Sequence, residues 1–327
     1  MKIRRFVHVV DTHTAGEPTR VVLDGLPFIQ GKTMVERHAW FEKHGKDLRG
    51  FLLQEPRGHT NMFGAVITPP VNPAADYGLI FLDSSGTLSM CGHGTIGAVT
   101  ALAELGRIHK EEVLLDTPSG LVSCHLHSEQ GEVRAVTFRN VPSFFLRTVQ
   151  WKGIPLHLSY GGNLFVLVEA SSLGIELKRQ NIRDIVDLGI TIRSWTNRNF
   201  TFHHPATGNP LLVDLVEFYE ETDPPRNVVV FGRGQVDRSP CGTGTCAKMA
   251  FLYSQGKLKP GEEYRYQGIL KTEFIGRIVT ETKIGSTLGI IPEVTGSAHV
   301  VAISSLVLTD RDPFPTGFNL EEEEAAK

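Results

Sequence analysis

Met90-Cys91-Gly92-His93-Gly94-Thr95-Ile96-Gly97-Ala98 and Pro240-Cys241-Gly242-Thr243-Gly244-Thr245-Cys246-Ala247 are two versions of one stretch, set about half the 327-residue chain apart. Each reads Cys-Gly-x-Gly-Thr and runs on into a segment of helical character, 99–102 in the first copy and 248–252 in the second. The glycines let the backbone turn sharply and approach a ligand closely, and the run that follows opens a helix. First-turn N–H groups of such a helix have no partner inside it and can receive an anion. A cysteine at that terminus is expected to have a lowered pKa and thiolate character. Two copies therefore predict two thiols and two anion-receiving helix ends facing one site. That is an acid/base pair built from sulfur.

Working outward, the order of elements repeats with the motif. Residues 6–10 and 20–23 read as strands around a polar turn, Asp11 through Thr19. Met34, Val35, Ala39, Trp40 and Phe41 lie at helical spacing within 34–48. Short strands are expected at 51–54, 62–68 and 78–82. The last feeds Asp83-Ser84-Ser85-Gly86 and the first cysteine motif, whose helix should run to about Gly106. Strands follow at 113–115, 120–127 and 133–138. Around 143–150 the pattern begins again, with strands at 154–159 and 163–169, a helical segment at 178–195, and strands at 211–219 and 227–231. The second motif and its helix, ending near Gly256, come next, and then strands at 264–269, 273–282 and 299–308. The halves match in order, so the expected fold is a duplicated α+β unit. The terminal run Glu321-Glu322-Glu323-Glu324 reads as a solvated charge run without function.

A chain of this length can hold two domains of about 150 residues each. At 41% hydrophobic and 21% charged residues, the composition is that of an ordinary globular protein. A net charge of −3 offers no global electrostatic case for nucleic acid or an acidic membrane surface. No apolar run reaches the roughly 18 residues that span a bilayer. The N-terminal segment is basic, but Asp11 and His13 interrupt it at once, so it fails as a signal peptide. A cytoplasmic location is the default expectation. In that compartment Cys91, Cys124, Cys241 and Cys246 are expected as free thiols. His125/His127 and His203/His204 lack nearby cysteine or carboxylate partners and read as surface histidines, not metal ligands. No lysine sits in a context that calls for a pyridoxal cofactor.

Two other readings of the repeat compete. Gly92-His93-Gly94-Thr95-Ile96-Gly97 formally fits the G-x-G-x-x-G of a dinucleotide site, which also wants a βαβ unit and an acidic residue closing the next strand. Here alternating strands follow Glu111-Glu112, and the second copy has Ala247 where the last glycine would stand. The bland reading makes both cysteines buried small hydrophobes at helix starts. Two in the same glycine- and threonine-flanked context, without core aliphatics around them, argue for chemistry instead.

The two motifs, together with Asp11-Thr12-His13-Thr14-Ala15-Gly16-Glu17-Pro18-Thr19-Arg20, Glu55-Pro56-Arg57-Gly58-His59 and Asp237-Arg238-Ser239-Pro240, resemble the proline racemase family. Tyr160-Gly161-Gly162-Asn163 and Val294-Thr295-Gly296-Ser297-Ala298-His299 fit it too, so the resemblance covers nearly the whole chain. It implies a diaminopimelate-epimerase-like fold: two pseudo-symmetric α+β halves, 1–145 plus about 298–327 and 146–297, with the site in the cleft between them. It implies an isomerase that uses no cofactor, acts on a small-molecule substrate, and forms a homodimer. By position Cys91 and Cys241 would be the catalytic thiols. Gly92, His93, Gly242 and Thr243 would hold the substrate carboxylate through backbone N–H groups, and Asp237 and His93 the ring amine. Inverting a stereocentre needs a base on one face of Cα and an acid on the other, and a thiol and thiolate interconvert near neutral pH.

Within that family the dehydratase branch carries Thr at the second thiol, which Cys241 disfavours. Phe63 and Phe231 match aromatic pocket positions of the racemases, though ordinary core packing would also explain them. Two phenylalanines suit an unsubstituted pyrrolidine, whereas a ring hydroxyl buried unpaired costs about 1–3 kcal/mol. Proline racemase is thus the expectation and 4-hydroxyproline 2-epimerase the near alternative, with Ser89 a hydroxyl that could meet a hydroxylated ring. A non-catalytic amino-acid-binding protein is the alternative of another class. Cys124 and Cys246 read as packing residues, and Arg57, His59 and Asp83 as structural hydrogen-bonding residues around the cleft.

Overall fold

The computed structural model describes residues 2–320, so the acidic run from Glu321 lies outside the described residues. The first half begins with strands β1 (Ile3–Thr14) and β2 (Glu17–Asp24), helices α1 (Met34–His44) and α2 (Lys46–Leu53), and strands β3 (Gly64–Thr68), β4 (Tyr77–Leu82) and β5 (Thr87–Leu88). Helix α3 (Gly92–Glu104) follows, then β6 (Glu112–Thr117), β7 (Gly120–Glu129) and β8 (Glu132–Arg139). The second half runs β9 (Ser143–Trp151), β10 (Ile154–Tyr160), β11 (Leu164–Glu169), α4 (Ile182–Asn199), the short β12 (Phe202–His203) and β13 (Pro210–Leu211), β14 (Val213–Glu220), β15 (Arg226–Phe231) and β16 (Gln235–Asp237). Helix α5 (Gly242–Ser254), β17 (Glu263–Gln267), β18 (Glu273–Ile284) and β19 (Thr287–Gly296) follow, and β20 (Ala298–Thr309) returns to pair with β1.

The pairings repeat strand for strand. Parallel β2–β3 matches parallel β11–β14, and antiparallel β3–β4 matches β14–β15. The parallel contact of β4 with β6 matches that of β15 with β17. At the ends, β20 pairs with β1 along nearly its whole length, as β9 pairs with β10. Each set of strands wraps one apolar helix: 11 of the 13 residues of α3 are buried, and 11 of 13 in α5. Helices buried on nearly every side have nowhere to go but a core, and these two occupy the centres of the halves, with Lys248 of α5 paired to Glu221. Helices α1, α2 and α4 are amphipathic covers. Thr33 caps α1 by accepting the Glu36 N–H at 3.1 Å, while the Glu36 carboxylate reaches back to the Lys32 N–H. Strand β19 joins the halves, pairing with β18 on one side and with β8 and β9 on the other.

Three local expectations fail. Residues 51–54 end helix α2 and are not a strand, because Leu48, Phe51 and Leu52 fall three and four apart and bury one helical stripe. The polar segment Asp11 through Thr19 is not a long turn. Strands β1 and β2 continue through it in register, Thr14 opposite Glu17, and only Ala15-Gly16 turn, at φ 52° and 99°. Its inward side chains are polar because they serve the helix behind them: Thr14 Oγ1 donates to the His93 carbonyl at 2.9 Å. Strand β19 is the third, an element the sequence pattern did not mark. The last glycine of the 92–97 pattern is required by packing within the protein: a Cβ on Gly97 would lie 2.6 Å from Thr12 Oγ1.

Candidate active site

Cys91 and Cys241 are the N-cap residues of α3 and α5. Each thiol sulfur accepts the backbone N–H three residues on, Gly94 to Cys91 at 3.2 Å and Gly244 to Cys241 at 3.4 Å. Each cap carbonyl takes the next N–H, of Thr95 and of Thr245. The first-turn donors that remain for a ligand are those of Gly92, Gly242 and Thr243, together with that of His93, which also faces the Cys91 sulfur. The two helix ends meet. A Cβ on Gly92 would lie 2.6 Å from Gly242 Cα, and one on Gly242 would lie 2.7 Å from Gly92 Cα, with the Phe138 ring against both.

Phe63, Cys91, Gly92, His93, Phe231, Asp237, Cys241, Gly242 and Thr243, the residues expected from the sequence, line one cavity. Leu88, Met90 and Leu215 line it as well and were not anticipated; nothing in their hydrophobic strand patterns sets them apart from core. The enclosed space is about 10 Å³, roughly that of one water. The halves are therefore closed on each other here. Phe63 packs edge-on against His93 (centroids 4.5 Å) and Phe231 (6.2 Å). His93 Nδ1 stands 3.3 Å from Cys91 Sγ and 3.7 Å from Asp237 Oδ2, joining one thiol to the carboxylate of the opposite half.

The segment before Cys241 is held firmly. Asp237 Oδ1 accepts the Ser239 N–H at 2.8 Å, Ser239 Oγ accepts the Cys241 N–H at 3.1 Å, and Asn227 Nδ2 donates to the Pro240 carbonyl at 2.7 Å. Cys241 itself sits at φ 59°, a backbone region that costs a non-glycine residue about 1–3 kcal/mol. Across the cleft Glu17, fully buried on β2, accepts the Arg238 N–H at 2.8 Å. Ser84 N–H donates to Gln235 Oε1 at 2.8 Å, tying the turn after β4 to the start of β16.

The expected lowering of the thiol pKa is not what the structure gives. Burial pushes both thiols well up. For Cys91 the Gly94 N–H opposes this while Asp237 and Glu17 add to it; for Cys241 Asp237 and Glu217 add and the Gly244 N–H opposes. The helix ends do donate, but removal from water beside carboxyl groups outweighs them.

The residues assigned to packing or structure fall as follows. Cys124 and Cys246 are fully buried, and all four cysteines are free. Asp83 closes its own turn by accepting the Ser85 and Gly86 N–H groups. His59 Nδ1 accepts the Asn61 N–H. Arg57 does not hold the cleft: it binds the C-terminal segment through the Val307 and Phe314 carbonyls and Asp312. His125 bonds Glu112 and His127 bonds Thr137 on the surface of β7. Among the described residues no helix is long and apolar enough to cross a membrane.

Two strand-wrapped helices, each opened by Cys-Gly and meeting end to end, define the diaminopimelate-epimerase class of fold. The Proline racemase family model matches residues 9–319, and the chain belongs to that family of isomerases. It is 41% identical to a proline racemase of Clostridioides difficile, over 98% of this chain and 100% of that one. It is 39% identical to a 4-hydroxyproline 2-epimerase of Streptosporangium roseum, over 98% and 100%. The crystal structure of a hydroxyproline epimerase from Agrobacterium vitis with bound trans-4-hydroxy-L-proline superposes with a TM-score of 0.92 at 30% identity, covering 98% of this chain and 97% of that one.

Proposed function

We propose that this protein is a cofactor-independent proline racemase in which Cys91 and Cys241 act as base and acid on opposite faces of Cα. The observation that carries the reading is the pair of thiols capping two helices whose first turns abut around one closed cavity. The substrate carboxylate would be held by the N–H groups of Gly92, His93, Gly242 and Thr243, where two helix termini favour negative charge. Asp237, with His93, would receive the ring ammonium. One thiolate takes the Cα proton, the carbanion spreads its charge onto the held carboxylate, and the opposite thiol delivers its proton to the other face. The product leaves the two sulfurs with their protonation exchanged. A buried, carboxyl-rich interior that raises both thiols suits a cationic ligand, which would relieve the crowding of acidic groups.

Phe63 and Phe231, touching edge to face on the cavity wall, favour proline over 4-hydroxyproline because neither offers a hydroxyl a partner. The 4-hydroxyproline 2-epimerase reading keeps the same mechanism. A binding protein would need the N–H groups but not the sulfurs. We assign the halves as 1–145 with the returning strand from 298, and 146–297, supported by the pairing of β20 with β1. A homodimer and a cytoplasmic location belong to the same proposal; light scattering and cell fractionation test them.

The deciding experiment incubates L-proline and trans-4-hydroxy-L-proline in D2O with wild type, Cys91→Ser and Cys241→Ser, followed by chiral chromatography. D-proline deuterated at Cα, lost in both variants, is the expected result. Inversion of hydroxyproline alone would move the assignment to the epimerase. No exchange with either substrate, even though both bind, would leave the binder.

A further inference from the structure

The repeat is not exact beneath the two thiols. In the first half the glycine three residues past the thiol, Gly94, packs on a phenyl ring: a Cβ there would lie 3.1 Å from Phe81 and 3.2 Å from Cys91 Sγ. At the matching place in the second half, Gly244 packs on a carboxyl group. A Cβ on Gly244 would run into Glu217 Oε2 and stand 3.0 Å from Cys241 Sγ. Glu217 on β14 is fully buried; Tyr266 donates to its Oε1 at 2.6 Å, and Oε2 has no hydrogen-bond partner.

We infer that Glu217 makes the two thiols unequal, holding the proton on Cys241 so that Cys91 is the first of the pair to ionise. The inference rests on the two-thiol reading and adds a positioning residue to it. A carboxylate within a few ångströms of a thiol disfavours its ionisation, whereas a phenyl ring brings no such charge. The remaining contacts point the same way. Cys91 Sγ has the shorter helix N–H (3.2 against 3.4 Å) and a histidine nitrogen at 3.3 Å, while Cys241 has only the Thr243 hydroxyl at 3.9 Å.

Other charged groups face both sites. Asp237 opposes ionisation of both thiols, and Cys91 opposes that of Cys241. Glu17 faces Cys91, but the Arg238 N–H and guanidinium both engage that carboxyl. Around Glu217 stand Tyr266, Tyr264, Glu221 and Lys248, and the Lys248 ammonium is bonded to Glu221. Burial raises Glu217 to about 7, so it is charged over the alkaline range in which thiols titrate.

The test alkylates the full-length enzyme with iodoacetamide across the alkaline range and follows each cysteine by peptide mass spectrometry. The midpoint of each rate profile reports ionisation independently of how accessible the sulfur is. In wild type the Cys241 midpoint should lie above that of Cys91 by about one pH unit. Glu217→Gln should lower the Cys241 midpoint and leave Cys91 in place. Tyr266→Phe, which removes the donor that supports the carboxylate, should lower it in the same direction by less and serves should E217Q fail to fold. Coincident midpoints in wild type, or both moving together in the variants, would overturn the inference while loss of racemisation in C91S and C241S still upheld the two-thiol reading. Racemisation surviving in both serine variants would remove that reading and this one with it.

Discussion

Gly92 and Gly242 rest on each other across the pseudo-twofold axis, each leaving no room for a Cβ on the other (2.6 and 2.7 Å), with the Phe138 ring beneath both. The contact brings two helix N-termini to one point, so in the proposed reading four backbone donors would converge on a single carboxylate. Neither glycine is there for an unusual φ. Each is there because the two backbones touch.

Gly92→Ala and Gly242→Ala should therefore hold the halves apart. Overpacking at a contact that cannot relax costs about 1–3 kcal/mol, so each substitution is expected to lower kcat/KM about ten- to a hundredfold. The thermal midpoint should fall as well, because each methyl would also meet the buried Phe138 ring, 2.9 and 3.0 Å away. Unchanged kcat/KM in both variants would show that closure to this distance is not required.

Phe231 should govern which ring the cavity accepts. Phe231→Ser removes one of two touching rings and supplies a hydroxyl on the cavity wall. Pocket changes of this size discriminate by about 1–3 kcal/mol, so the ratio of kcat/KM for 4-hydroxyproline over proline should rise at least tenfold. Loss of both activities in equal measure would make Phe231 a packing residue.

Cys91, Cys241 and the residues beside them were legible because their signal is local: a repeated cap, a repeated glycine pair and an aspartate close by in the chain. Local too were α3 and α5, whose apolar runs bury on all sides. Glu17 and Glu217 were not legible. Glu17 fell in what read as a polar turn and Glu217 in an ordinary strand pattern, and the importance of each comes from what the opposite helix or half places against it. Strand β19 was missed because Pro292 and the glycines at 289 and 296 interrupt its strand pattern; the true extent of β1 and β2 was missed for a reason closer to that of the glutamates. Their polar inward positions, such as Thr12 and Thr14, satisfy partners on α3 and on the facing strand, and alternation that places polar groups inward defeats a reading by hydrophobic period. The helix-end effect on the thiols was read with the right sign but without the burial that exceeds it.

Glu217 also makes a prediction about stability. Burial raises its folded-state pKa from 4.5 to about 7. Below 4.5 both folded and unfolded chains carry the proton and the group costs nothing. As pH rises through that value the unfolded chain ionises first, so stability falls between about 4.5 and about 7 and stays lower above. The loss attached to this one group is about 3 kcal/mol. Glu217→Gln should therefore flatten the decline, with its thermal midpoint gaining on wild type between pH 5 and pH 8. Parallel pH dependence in the two proteins would mean that the carboxyl is ionised at no such cost.

The tip of the β1–β2 hairpin reaches from one half into the other and should couple closure to the placement of Cys241. Ala15 offers its carbonyl to Thr272 Oγ1 at 2.9 Å, Gly16 lies against Leu270, and Glu17 takes the backbone N–H of Arg238. Arg238 stands between Asp237, on the cavity wall, and Ser239, whose hydroxyl holds the Cys241 N–H. Glu17→Ala leaves the Arg238 N–H without its acceptor when the halves close, a loss of about 1–3 kcal/mol. It should lower kcat/KM about ten- to a hundredfold. Glu17→Gln keeps an oxygen for that N–H and should stay within a few-fold of wild type, since burial already pushes the Glu17 carboxyl well above its usual range and so toward the neutral form. Equal damage in the two variants would mean that the negative charge of Glu17, and not the bond it accepts, is what the closed site uses.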